Sequence, residues 1–222
     1  APPLPPPAAV ARAPAVAPSE PASAPASAPA AEVVAGRLTR AQRVRIDGQP
    51  AAVGAVLGVG ASLQVAPGGH AEVELERGGR LRLYPRAQAR LQGRGDEVTL
   101  GTGRVWCQVD ADRGAFRVRT DEAEARVLGT SFVVERQAGR TDVRVMSGTV
   151  EVEDRSRRGV VRVKARERTR VEARAAPSRV RRYAPESDSA DWDRMLEDIR
   201  RALKRTGKAI ERGLKSLGDK LR

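Results

Sequence analysis

Between residues 96 and 172 the chain alternates apolar and polar positions with a period of two, in short Val-rich stretches separated by Gly, Asp and Arg. Side chains of a strand point to opposite faces in turn, so each stretch can bury one face and wet the other. The same reading predicts strands over 38–46, 53–57, 61–65, 71–76, 80–84, 88–91, 96–100, 103–109, 115–120, 123–128, 131–136, 141–146, 149–153, 160–164 and 168–172. Gly68-Gly69, Gly78-Gly79, the GRG at 93–95 and the GTG at 101–103 supply positions where positive φ is cheap, as tight turns need. Short strands at this spacing predict an all-β domain over 32–174. Periodicity fixes the buried face but not the pairing, so a β-sandwich, a partly open barrel and a short β-solenoid all remain open.

The flanks have other patterns. Residues 1–31 are almost entirely Pro, Ala and Ser, which predicts a disordered, extended linker without a core. A hinge with Pro177 and Pro185 is expected over 175–188, and a basic amphipathic helix over 189–222. Its apolar residues, Trp192, Met195, Leu196, Ile199, Leu203, Ile210, Leu214, Leu217 and Leu221, recur at steps that place them along one stripe. Acidic residues open this helix and basic ones close it, an order that suits the helix dipole.

Composition refines this picture. With 40% hydrophobic but only 3% aromatic residues, the core must be filled by Val, Leu and Ala. Cys107 is the single cysteine, so an intrachain disulfide and a thiol metal cluster are both excluded. No stretch approaches the roughly 20 consecutive apolar residues of a membrane-spanning helix. The chain opens on Ala1, from which an upstream anchor or signal segment, absent here, is expected.

The order GGHAEVELERGGRLRLY, GTGRVWCQVDADRGAFRVRT, VLGTSFVV and SGTVEV resembles the FecR domain, over about Gly48 to Val171. Its most specific marks are Phe116, the run containing Gly129, Thr130 and Phe132, and Gly148. The two glycines would sit where a side chain blocks a turn, and the two phenylalanines would be pegs in a ring-poor core. The resemblance implies a β-rich, non-enzymatic module of the bacterial periplasm or cell envelope, acting in transmembrane signalling through protein contacts.

Candidate chemistry is sparse. His70 is the only histidine and reads as a surface residue in a turn; Cys107 shares a strand face with Val105 and Val109, which makes an inert buried thiol. The pairs Glu72 with Glu74 and Glu151 with Glu153 lie two apart on outer faces and read as solvated. No cluster has metal-ligand spacing, no catalytic constellation emerges, and no cofactor is expected. One feature invites an anion. Arg162, Lys164, Arg166, Arg168 and Arg170 occupy alternate positions, which predicts a cationic ladder with Val161, Val163, Ala165 and Val171 facing inward. Nucleic acid is the least favoured partner, because no aromatics interleave with these cations. The residues expected to meet a protein partner are Trp192, Leu196, Ile199 and Leu203 of the helix, then the five cations of the ladder. The alternative function is an adaptor for an anionic polymer, a membrane surface or nucleic acid.

Overall fold

The computed structural model describes residues 33–110 and 114–183. The linker and the amphipathic helix, with Trp192, Leu196, Ile199 and Leu203, lie outside the described residues. Within them there are strands and no helix, and so no helix long and apolar enough to cross a membrane. In chain order the strands are β1 (Val34–Ile46), β2 (Gln49–Ala51), β3 (Val56–Gly58), β4 (Ser62–Leu75), β5 (Arg80–Leu83), β6 (Gln88–Gln92), β7 (Glu97–Gln108), β8 (Phe116–Arg119), β9 (Ala123–Val127), β10 (Ser131–Gln137), β11 (Arg140–Ser147), β12 (Thr149–Asp154), β13 (Val160–Lys164), β14 (Glu167–Glu172) and β15 (Arg181–Arg182).

Alternation located most of these elements, with one systematic difference. The stretches 61–65 and 71–76 form the single strand β4, and 96–100 with 103–109 form β7. The intervening glycines bend these strands without ending them: Gly68 has φ +69° and Gly103 has φ +86°. Beyond its bend each strand changes partners. β7 pairs with β6 and β8 through its first half, and with β5 and β10 through its second. β4 pairs with β6 before its bend and with β5 after it, while β1 follows it on both sides.

A second line of bends lies further along the chain. β9 and β10 are separated by 128–130, β11 and β12 by Gly148, and β13 and β14 by Ala165-Arg166. β10, β11 and β14 pair side by side, and so do β9, β12 and β13. The fifteen strands are therefore one hydrogen-bonded sheet folded over into two layers. An upper layer holds the second halves of β4 and β7 with β5, β10, β11, β14 and β15; a lower layer holds their first halves with β6, β8, β9, β12 and β13. Among the described residues every pairing is antiparallel except that of β7 with β8.

Both layers feed one apolar cluster. Leu38, Val73, Leu81, Val105, Val134 and Val143 enter it from above, and Leu63, Leu91, Val98, Val118, Val152 and Val163 from below. Phe132 is 0% and Phe116 3% exposed, so the two rings fill the core as expected. Each such side chain contributes about 1.5–3 kcal/mol by leaving water, which is how a core nearly without rings holds two layers together.

Candidate functional site

The residues that carried the family resemblance lie at the second bend line, where their roles are mechanical. Thr130 exchanges two backbone hydrogen bonds with Val109, at 3.0 and 3.1 Å, and its hydroxyl donates to the Thr149 carbonyl at 3.2 Å. Gly129 and Gly148 have φ of +68° and +82°. A Cβ on Gly148 would stand 2.9 Å from both the Gly129 carbonyl oxygen and Thr130 Oγ1, so the corner closes only around a bare backbone.

At the opposite end of this half, a buried polar cluster ties the layers. Glu122, in the β8–β9 turn, accepts from Arg136 Nε at 3.0 Å and from Thr141 Oγ1 at 2.8 Å. Thr141 also meets the Thr120 hydroxyl at 2.8 Å, and Arg136 reaches Asp121 and the Gly101 carbonyl at the bend of β7. Burial pushes the Glu122 carboxyl up, but the hydrogen bonds and charge of Arg136 and Thr141 outweigh it and hold the group below the usual carboxylate range.

The expected ladder is split, and this corrects the sequence reading. Residues 165–166 turn a hairpin in which Arg166 takes φ +63°, so Arg162 and Lys164 stand on β13 while Arg168 and Arg170 stand on β14. Val163 and Val171 face inward as expected, but Ala165 is exposed in the turn. The two arms meet different neighbours. On β13, Arg162 lies opposite Glu151, with 3.6 Å between guanidinium and carboxylate. Arg126 beside it binds Glu124 at 2.6 Å and Glu153 at 3.3 Å, and Arg119 binds Glu124 at 2.9 Å and Glu97 at 2.8 Å. Ion pairs cross this part of the lower face, although Glu124 lies opposite Glu153 and Arg126 opposite Arg117.

On β14, Arg168 lies opposite Arg144 on one side and Arg181 on the other. Like charges placed directly opposite repel. Arg170 alone faces an acid, Asp142, at 2.9 Å, and Asp142 is shared with Arg140 at 3.2 Å. Arg168, Arg170, Arg179 and Arg181 line a groove of about 320 Å³ in which Asp142 is the one carboxylate among the described residues. Residues 178–183, within the segment read as a hinge, run along β14 and form this groove, held by Ser178 N–H to the Arg170 carbonyl at 2.7 Å and Tyr183 N–H to the Arg166 carbonyl at 2.8 Å.

Sequence reasoning missed what continues the row. Reading across the upper layer, Arg40, Glu72, Arg82, Trp106, Val133, Arg144, Arg168 and Arg181 are successive cross-strand partners. The Arg82 guanidinium lies 4.4 Å from the centre of the half-buried Trp106 ring, and Trp106 Nε1 donates to Met146 Sδ at 2.9 Å. Glu135 is bound by Arg104 at 3.2 Å and by Arg144; burial raises its carboxyl, and the two arginines more than offset that and hold it low. Only the pairing register brings these residues together.

Three further expectations are settled here. His70 is buried rather than on the surface; burial and the charge of Arg40 push its pKa down, against an upward pull from Glu72. Glu72 is 5% exposed and bound by Arg82 at 3.1 Å and Arg80 at 3.4 Å, so it is a covered ion pair rather than a solvated acid. Cys107 is fully buried, and burial drives its thiol far above the ordinary range.

Residues 61–151 match the FecR protein family. The matched segment runs from the start of β4 into β12 and contains the bends at Gly68, Gly103, 128–130 and Gly148, with Phe116, Gly129, Thr130 and Phe132 also inside it. Two crystal structures described as a candidate anti-sigma factor from Parabacteroides distasonis ATCC 8503 share the fold, each with a TM-score of 0.51. Their identities are 26% and 25%, and each comparison covers 58% of this chain. The chain spans 63% and 62% of their lengths, under two thirds. No curated protein matches the chain.

Proposed function

We propose that this FecR-like chain is a non-enzymatic module of a bacterial cell-envelope regulatory system, placed outside the cytoplasmic membrane and acting through protein contacts. The observation that carries the reading is the arginine row of β11, β14 and β15, set at the edge of a FecR-matched fold and opened by a groove with a single acid. Its chemistry suits an acidic protein surface, because guanidinium forks bind carboxylates in pairs. Trp192, Leu196, Ile199 and Leu203 would add an apolar stripe to the same contact. The non-enzymatic reading is supported by how the acids are used: Glu72, Glu124 and Glu135 each bind two arginines and Glu122 binds Arg136, contacts that hold strands together.

A photoreactive residue in place of Arg168 or Arg181, introduced in the native bacterium, tests this, with the same residue at Arg126 as control. A discrete protein adduct from the first two sites and none from the third is expected. Adducts only to lipid or polydisperse polysaccharide would overturn the reading in favour of the polyanion adaptor, for which the open arginine groove is the favouring observation. Equal labelling at all three sites would overturn the assignment of the edge.

A further inference from the structure

The first bend line carries a basic cleft unrelated to the β14 edge. Across β2, β1, β4, β6 and β7, Pro50, Arg45, Gln64, Gln88 and Thr102 are successive cross-strand partners on the outside of the lower layer. Where this row meets the bends stand Arg43, in β1, and Arg86, in the turn between β5 and β6. With Arg45, Gln64 and Gln88 they line a cleft of about 670 Å³, a size that suits a small ligand. Among the described residues none that lines it is an acid.

The backbone at the two bends is costly in an informative way. Arg43 has φ +52° and Arg86 φ +66°, the left-handed region that glycine enters freely and other residues do not. At neighbouring bends of the same layers the chain uses Gly68 and Gly103. Asp47 shares the conformation in the β1–β2 turn, and Arg157, Arg166 and Arg174 share it in the turns around β13 and β14, whereas Arg43 and Arg86 lie on adjacent bends and converge on one cleft. Strain kept where glycine would relieve it marks a position whose side chain is needed. Arg43 is also steadied: its Nη1 donates to the Pro67 carbonyl at 3.2 Å, and Gly69 leaves room beside it, since a Cβ there would stand 3.1 Å from Arg43 Cβ. Among the described residues the bond to Pro67 is the hydrogen bond of its guanidinium, which leaves its other N–H groups for a ligand.

We infer that this cleft binds the phosphate monoester of a small sugar. Arg43 and Arg86 clamp the dianion, Arg45 adds the third positive charge, and the Gln64 and Gln88 amides meet the hydroxyls of the neutral body. Three guanidinium groups without a carboxylate match a charge near −2 better than a single carboxylate.

The test is a chemical-shift titration of the full chain with glucose 1-phosphate, inorganic phosphate and glucose. Saturable shifts confined to 43–45, 64 and 86–88 are expected, with glucose 1-phosphate at least tenfold tighter than inorganic phosphate and glucose silent. The double variant Arg43→Gly/Arg86→Gly should lose at least tenfold in affinity while its Tm holds or rises, because glycine suits both bends. If that variant fails to fold, Arg45→Gln carries the same expectation for binding. Binding should be unchanged in Arg168→Gln/Arg181→Gln, which separates this site from the proposed protein contact. Absence of saturable shifts, shifts spread over every arginine-rich surface, equal affinity for inorganic phosphate, or undiminished binding in the glycine variant would each overturn the inference.

Discussion

The two arms of the β13–β14 hairpin are adjacent in sequence and equally basic, yet they lie in opposite electrostatic settings. On the lower face Arg162 and its neighbour Arg126 are interleaved with Glu124, Glu151 and Glu153; on the upper edge Arg168 stands between Arg144 and Arg181. A cation's behaviour here is set by the strands hydrogen-bonded beside it rather than by its own strand. Around β9, β12 and β13 the lower-face arginines are held by internal partners and need no ligand. The upper edge gains from any anion that settles on it.

The largest expected effect comes from breaking the tie between the layers to which these faces belong. Glu122→Ala leaves Arg136 without its buried partner, and a loss of about 3–5 kcal/mol is expected in urea unfolding. Next is the β11–β12 corner, on the same bend line as the hairpin that joins the two arms. Gly148→Ala places a side chain at φ +82° and 2.9 Å from two neighbouring oxygens, which should cost about 2–3 kcal/mol by the same measurement.

Acid should then erase the contrast. Glu122, Glu124 and Glu135 are held below their ordinary value of 4.5, so each contributes stability that is present above pH 4.5 and lost as pH falls through the folded value. With Glu124 neutral, Arg119 and Arg126 lose the carboxylate they share. His70, held below 6.5, adds an earlier and smaller decline, because the unfolded chain takes up its proton first as pH falls from 6.5. A Tm series against pH should therefore show a shallow fall beginning near 6.5 and a steeper one below 4.5. A flat profile from 6.5 to 3.5 would refute this account.

The smallest effects discriminate most finely, since they should differ in sign. Arg126→Gln removes partners from Glu124 and Glu153 and should lower stability by under about 1 kcal/mol. Arg168→Gln removes a like-charge neighbour and should raise Tm at low salt. Both changes should shrink between about 0.01 M and about 1 M salt, as the screening length drops from roughly 30 to 3 Å.

Much of the layering was legible in the chain, because valine-rich alternation names the inward face of a strand wherever it pairs. The strands carrying Phe116, Val134, Val152 and Val163 could be placed on that basis alone. The bends were not legible, since a glycine that ends a strand and one that folds it look the same: the GTG within β7 read as a turn between two strands. Alternation separated 160–164 from 168–172, but the turn at 165–166, made by Ala and Arg rather than by Gly or Asn, gave no sign that the two strands pair with different neighbours. Glu72 and Glu74 show a further limit. Their spacing is that of two solvated acids, and only the arginines of β5, brought alongside by register, cover the first of them. The edge groove required partners from β11, β14 and residues 178–183, a juxtaposition that exists only after folding.

Cys107 holds the chain's one thiol at 0% exposure, on the second half of β7 between β5 and β10. No reagent can reach it while those three strands stay zipped, so alkylation of the native protein becomes a clock for whole-domain opening. The chain thus carries its own stopwatch, readable by mass shift without any added label.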